Sequence, residues 1–282
     1  MSRVAYVNGV YAPLRAPLIS VLDRGLQLAD AIYEVWAVRD GRLFDADAHM
    51  ARLQRSLEEL QMRAPMGERA LWLVIREVMR RNRVRDGIVY AQISRGAPSA
   101  RDHVFPNPQT PPTLIVTAKS LDRAALAARA EQGVSVISVP ETRWARRDIK
   151  SVNLLPNVLA RQAAKEAGAF EAWFVDDHGF VTEGTSSTAW IVDDEGRLRT
   201  RALSHALLHG VTRAALLEVA KSRDLHIEEK PFTIAEAQAA HEAFISSASN
   251  PAVGVTKIDG VRVGAGGVGP VTRLLRAAYL GA

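Results

Sequence analysis

From Val4 to Tyr11 and again from Ile32 to Phe44 the chain reads as strands and turns, and from Ala46 its apolar residues switch to the three- and four-residue steps of a helix. The strand stretches read as two hairpin-like units. Val4 to Val7 and Val10-Tyr11 flank a turn at Asn8-Gly9, and Ile32 to Val38 and Arg42-Leu43-Phe44 flank one at Asp40-Gly41. Met50, Leu53, Leu57 and Leu60 then line one side of an amphipathic helix, with Asp45 or Asp47 as its cap.

The alternation continues. A helix is expected from Gly67 to Asn82, strands at Ile88 to Ser94 and Leu114 to Ala118, and a polar, proline-rich loop from Arg95 to Pro112. The alanine-rich segment 119–132 reads as a connection between domains. Beyond it come strands at Val134 to Val139, Glu171 to Val175, Thr188 to Val192, His226 to Glu229 and Ala243 to Ser246. Helices are expected at Leu154 to Ala167, stopped by Gly168, after Gly210, and at Val271 to Tyr279 behind a flexible joint, Gly264-Ala265-Gly266-Gly267. Strands and helices in two mixed runs make an α/β (α+β) protein of two domains, residues 1–118 and 133–282.

The sequence contains no cysteine, which removes disulfides, thiolate metal sites and thiol nucleophiles together. No Gly-x-Ser-x-Gly elbow, His-Glu-x-x-His helix or phosphate loop is present. With 48% hydrophobic and 24% charged residues, and no stretch of membrane-span or signal-peptide length, the expectation is a soluble cytoplasmic protein. The net charge of +5 permits anionic ligands, but the densest basic cluster, Arg76 to Arg85, includes Glu77 and ends a helix. That fits a solvated helix end rather than a nucleic-acid surface, so no nucleic-acid and no membrane partner is expected.

Four segments can carry chemistry. In Asp148-Ile149-Lys150-Ser151 a lysine with apolar neighbours stands before a helix, where loss of water would free its amine to attack an aldehyde. Alone, a lysine at a loop end is ordinarily hydrated. In Thr182-Glu183-Gly184-Thr185-Ser186-Ser187 a carboxylate can face a heterocyclic nitrogen while hydroxyls and amides bind a ring oxygen or phosphate; a polar turn between strands is the plain alternative. His209-Gly210-Val211-Thr212, with Ser204 before it, opens a helix whose first amides suit an anion, and Arg52 could add a guanidinium fork. Arg101-Asp102-His103, in the long loop, places two donor side chains within reach of one carboxylate.

With these residues the chain resembles the fold-type IV pyridoxal-phosphate enzymes, most of all the D-amino acid aminotransferases. The likeness runs through Tyr6-Val7-Asn8-Gly9, Asp23-Arg24-Gly25, Ala31-Ile32-Tyr33-Glu34-Val35 and His49-Met50-Ala51-Arg52-Leu53. It continues through Arg101 to Pro106, Asp148-Ile149-Lys150, Thr182-Glu183-Gly184, Gly210-Val211-Thr212-Arg213 and Phe244-Ile245-Ser246-Ser247, nearly the whole chain.

The resemblance implies a smaller N-terminal α/β domain and a larger C-terminal pseudo-barrel α/β domain carrying Lys150. Lys150 would form a Schiff base with pyridoxal 5'-phosphate and shuttle the substrate's α-proton, and Glu183 would pair with the pyridine nitrogen. Arg52, Gly210, Val211 and Thr212, with Ser247 or Ser249, would hold the phosphate. Tyr33, Arg101 and His103 would trap the substrate carboxylate, with the Arg101 loop reaching a second subunit's site in a homodimer. The implied reaction moves the amino group of a D-alanine-like amino acid to a 2-oxo acid.

Leu155 stands where branched-chain L-aminotransferases typically carry tyrosine, which tilts away from them. They and the 4-amino-4-deoxychorismate lyases nevertheless share the cofactor apparatus. The chain departs from the family pattern at Ala29 and Ala31, where glycines are common, at Thr188 and Trp190 after Glu183-Gly184, and at Ala248 in place of a phosphate-binding threonine.

Overall fold

The computed structural model describes residues 3–281. The chain divides into two compact units, one running through Asp122 and taking in Ile149–Asn153, the other made of Arg123–Asp148 and the chain from Leu154 on.

In the first unit the elements are β1 (Val4–Val7), β2 (Val10–Pro13), α1 (Arg24–Leu28), β3 (Ala31–Arg39), β4 (Arg42–Leu43), α2 (Ala46–Glu59), α3 (Glu68–Asn82), β5 (Gly87–Ser94) and β6 (Thr113–Ser120). The strands form one antiparallel sheet in the order β2-β1-β6-β5-β3-β4. Period-2 alternation sends Val89, Ala91 and Ile93 of β5 to the buried face, where Trp36 of β3, Leu53 of α2 and Ile75 of α3 are also fully enclosed. Burying each of the Val, Leu and Ile side chains contributes roughly 1.5–3 kcal/mol. Asp45 precedes α2 as expected, but in a left-handed conformation whose side chain makes no capping hydrogen bond.

The Lys150 segment belongs to this unit by backbone pairing. Tyr33 N donates to Lys150 O at 2.9 Å, Val152 N to Ala31 O at 3.0 Å, and Ile32 bridges Ser151. The sequence expectation had placed Lys150 in a domain spanning 133–282; a short pairing between segments so distant in sequence leaves no periodic trace. The expected connection 119–132 is likewise largely a helix of the second unit, α4 (Arg123–Gln132). Its alanine content is a strong local reason to be helical.

The rest of the second unit comprises β7 (Val134–Pro140), α5 (Leu155–Glu166), β8 (Glu171–Val175), β9 (Val181–Gly184), β10 (Thr188–Val192), β11 (Leu198–Thr200), α6 (Val211–Lys221), β12 (Ile227–Glu229), α7 (Ile234–Ala239), β13 (Glu242–Ser246), β14 (Val253–Ile258), β15 (Val261–Arg262) and α8 (Pro270–Leu280). The sheet runs β12-β11-β10-β13-β14-β7-β8-β9, with β15 on β14, and curls as a half-barrel. Both faces of its middle are covered. Ala189 and Ile191 of β10 and Ala243 and Ile245 of β13 pack with Trp173, Phe232 and Val255 on one side. Trp190 and Phe244 alternate to the other, against Leu216 and Leu275, with their rings stacked 5.3 Å apart.

Two features had local signals that went unread. Thr233 and Glu236 form a reciprocal capping box that starts α7, a Thr-x-x-Glu pattern visible in the sequence. Gly264, read as part of a flexible joint, is wedged instead: a Cβ there would lie 2.1 Å from His241 O, and its φ is +48°. Among the described residues, no helix is long and apolar enough to cross a membrane.

Candidate active site

The residues singled out in the sequence fall on both units. Tyr33, Arg52, Arg101, His103 and Lys150 belong to the first, and Glu183, Gly210, Val211, Thr212, Ser247 and Ser249 to the second.

In the first unit, alternation along β3 turns Glu34 inward while Tyr33 stays half-buried, and the backbone bond to Lys150 O sets the lysine beside that tyrosine. Lys150 Nζ lies 4.4 Å from the Tyr33 ring centroid, and Tyr90 stacks on Tyr33 at 5.5 Å. Lys150 N also donates to the buried Ser56 Oγ at 3.4 Å.

Beneath them, α2 places His49 and Arg52 three residues apart on one side, and both meet Glu34. Arg52 Nε donates to Glu34 Oε2 at 2.9 Å and Nη2 to Oε1 at 2.7 Å, while His49 Nδ1 lies 2.9 Å from Oε1. Burial alone would raise the Glu34 carboxyl. The Arg52 charge, the His49 and Arg52 hydrogen bonds and the Lys150 charge outweigh it and hold Glu34 well below the usual carboxylate range. The sequence reading used Arg52 alone and missed both partners; the His-x-x-Arg spacing on an amphipathic helix was the available signal. Arg101 and His103 are exposed on the loop between β5 and β6.

In the second unit Glu183 sits on β9 and is buried. Arg143 Nη1 donates to Glu183 Oε1 at 2.6 Å, and Leu208 N reaches both carboxylate oxygens at 3.1 and 3.2 Å. Arg143 is shared with Glu141, whose Oε2 accepts from Arg143 Nη2 at 2.6 Å and from Thr182 Oγ1 at 2.8 Å. Burial pushes the Glu183 carboxyl above its ordinary value even though Arg143 and the Leu208 amide pull it down. Arg143 went unnoticed because nothing local separates it from Arg146 and Arg147 in the same run.

Gly210 precedes α6, whose first intrahelical bond here is Ala214 N to Gly210 O, so the Val211 and Thr212 amides stand at the positive end of the helix dipole. A Cβ on Gly210 would come 3.1 Å from both Thr188 Oγ1 and Arg213 Cβ. Ser247 and Asn250 close a tight turn through reciprocal backbone bonds of 3.1 Å, with Ser249 Oγ accepting from Asn250 Nδ2. Trp190, a departure from the family pattern, donates from Nε1 to Ser246 Oγ at 2.9 Å, which anchors the ring inside the sheet.

The hydroxyls after Glu183-Gly184 do not match the expectation. Thr185, Ser186 and Ser187 all donate to the carboxylate of the fully buried Glu171 rather than being held ready for a ring oxygen or phosphate. A charge at that depth requires several donors, and this loop supplies them. Ser204 Oγ accepts from Ala206 N within its own turn.

Chemically, the donor set suits a phosphorylated heterocycle. A buried carboxyl oriented by Arg143 and the Leu208 amide fits a hydrogen bond to a ring nitrogen, and a helix start fits a phosphate.

Comparison with known proteins agrees. The amino-transferase class IV family model matches residues 31–258. The D-alanine aminotransferase of Staphylococcus haemolyticus is 36% identical over 275 residues, covering 97% of this chain and 95% of that one. That of Bacillus licheniformis is 37% identical over 260 residues, covering 92% and 90%. Among solved structures, the branched-chain amino acid aminotransferase of Escherichia coli superposes with a TM-score of 0.91 at 24% identity, over 100% of this chain and 94% of that one, a likeness of fold. A second branched-chain amino acid aminotransferase, from T.th. and solved with pyridoxamine 5'-phosphate, gives 0.89 at 26% identity, covering 99% and 93%. The chain therefore belongs to the class IV aminotransferases, the fold-type IV enzymes that transfer amino groups with pyridoxal 5'-phosphate.

Proposed function

We propose that the protein transaminates a D-amino acid of the D-alanine type with a 2-oxo acid acceptor. When bound, pyridoxal 5'-phosphate supplies an aldehyde for the amine and an electron sink for the charge left at the α-carbon. Lys150 would hold the cofactor through its amine and, as a free amine, would take the substrate's α-proton on Nζ and return it. Glu183, oriented by Arg143 and Leu208 N, would pair with the ring nitrogen and favour its protonated form. Arg52, the amides of Val211 and Thr212 behind Gly210, the Thr212 hydroxyl, and Ser247 or Ser249 hold the phosphate.

Tyr33, Arg101 and His103 fix the substrate carboxylate, so only one hand of amino acid turns its α-hydrogen toward Lys150. The observation that carries this reading is the pairing of Tyr33 with Lys150: strand β3 bonds the lysine's backbone, and the amine lies 4.4 Å from the tyrosine ring. A carboxylate gripped at that tyrosine would sit beside the base. The D preference is supported by 36% and 37% identity to two D-alanine aminotransferases over 97% and 92% of the chain. A homodimer fits the apolar stripe Leu155, Val158 and Leu159, left 59–68% exposed along α5.

Lys150→Ala should abolish half-transamination of D-alanine, and borohydride reduction of the loaded wild-type protein should leave a pyridoxyl mass on the Lys150 peptide. A panel of paired D- and L-donors with 2-oxoglutarate and pyruvate tests the substrate. Faster turnover of L-leucine than of D-alanine refutes the D assignment, and pyruvate released without an amino acceptor indicates elimination instead.

A further inference from the structure

The loop that bears Arg101 and His103 is exposed, yet its backbone is gripped from below by an arginine that the chemistry does not use. Arg24, only 5% exposed in its side chain, donates from Nη1 to Asp102 O at 2.5 Å and Val104 O at 3.1 Å, and from Nη2 to His103 O at 3.3 Å. Its remaining edge, Nε, is held by Asp30 Oδ2 at 2.7 Å.

Asp30 binds a second arginine as well. Arg95 donates from Nε to Oδ2 at 2.8 Å and from Nη2 to Oδ1 at 3.0 Å, and its guanidinium covers the Phe105 ring at 3.8 Å. Arg95 also reaches Leu60 O at 2.6 Å and Gln61 O at 3.0 Å, just past the end of α2. The loop base is closed by the Arg24 N to Gly96 O bond, 3.0 Å, and by Gly96, where a Cβ would lie 2.1 Å from Pro111 O. One carboxylate and two guanidinium groups thus tie together the loop, the residue leading into β3 and the end of α2. Tyr33 lies on that strand and Arg52 on that helix.

Three successive carbonyls converging on one planar cation leave the chain between Arg101 and Val104 little freedom to rotate, because any turn of one peptide breaks a charge-assisted bond. The directions in which Arg101 and His103 leave the backbone are set accordingly. We propose that Arg24, Asp30 and Arg95 form a positioning node that governs affinity for the substrate carboxylate without touching it, by fixing the backbone from which Arg101 and His103 project. This rests on the carboxylate-binding role proposed above for those two residues.

The test uses the holoenzyme and the variants Arg24→Met, Arg24→Lys and Asp30→Asn, with Arg101→Ala as reference. Arg24→Met should raise KM for D-alanine about tenfold or more while kcat stays within about twofold and cofactor affinity is unchanged. Backbone amides of 102–105 should exchange hydrogen faster. Arg24→Lys, which keeps the charge but not the fork, should recover part of the loss. Asp30→Asn, which loosens both arginines, should move KM in the same direction and serves if Arg24→Met does not fold. An unchanged KM in the node variants beside a raised KM in Arg101→Ala overturns the node and leaves the functional reading standing. So does a parallel loss of KM, kcat and cofactor affinity, the signature of general damage. An unchanged KM in Arg101→Ala overturns the carboxylate role itself.

Discussion

Glu34→Gln isolates the worth of the buried charge cluster under the Lys150 segment. The carboxylate accepts two bonds from Arg52 and one from Val35 N, lies 2.9 Å from His49 Nδ1, and is fully buried. Glutamine keeps the shape and one acceptor oxygen but turns an NH2 toward Arg52, a side chain only 8% exposed. One charge-assisted bond, worth about 1.5–3 kcal/mol, is lost outright, and a cation is left in a poorly solvated place without its counter-charge. A loss of about 3–5 kcal/mol at neutral pH is expected, in the range found when one partner of a buried pair is removed.

The pH dependence gives the sign. Glu34 ionises in the folded protein well below its ordinary value of 4.5, so its contribution is complete above that value and drains away as pH falls toward the folded one. The gap between wild type and variant should therefore narrow below pH 4.5 by up to about 1.4 kcal/mol per unit. Urea unfolding of the cofactor-free proteins, followed by far-UV circular dichroism at several pH values, measures both quantities. A neutral-pH loss under about 1 kcal/mol, or a gap that stays constant on acidification, refutes the assignment of Glu34 as a buried anion.

Two further changes probe the backbone and the surface. Ala29 caps α1 in the left-handed region at φ 55°, so Ala29→Gly relieves about 1 kcal/mol of strain against about 0.4–1 kcal/mol of added unfolded-chain entropy. Thermal unfolding should show a change between zero and a slight gain, and a clear loss contradicts the strain argument. Val158→Glu with Leu159→Glu puts two charges on the exposed apolar stripe of α5. If this stripe forms the proposed dimer interface, sedimentation velocity should show the wild type as a dimer and the variant shifted toward monomer; identical behaviour of the two refutes an interface on α5.

What the sequence disclosed about the site divides along a physical line. Lys150, Glu183, Arg52 and the Gly210-Val211-Thr212 helix start could be nominated because their chemistry is specified by residue type within a short segment, and Tyr33 only through the family resemblance. The groups that hold them were not. Arg143 stands among Arg146 and Arg147, and its selection depends on the three-dimensional course that brings it to Glu141 and Glu183. Glu34 is chosen by the face of β3 it occupies and by where α2 crosses that face. Arg24 was noticed only as part of a familiar string, because its partners are backbone carbonyls of residues 102–104, which carry no side-chain signature.

The fold shows the same division. The hairpins, α2, α3 and β10 follow from periodicity, whereas the pairing of Ile149–Asn153 with β3 and the helix in the supposed connection did not. A usable signal does exist for several of the missed residues. Glu34 and Glu171 lie in or at the start of mostly apolar strands, and an acid enclosed there must be matched by donors. Searching outward from such acids for hydroxyls raises the Thr185-Ser186-Ser187 loop as a partner of Glu171, but does not single out Arg143 from Arg146 and Arg147. It would not have found Arg24, since a guanidinium that binds main-chain oxygens becomes visible only when the loop's path is known.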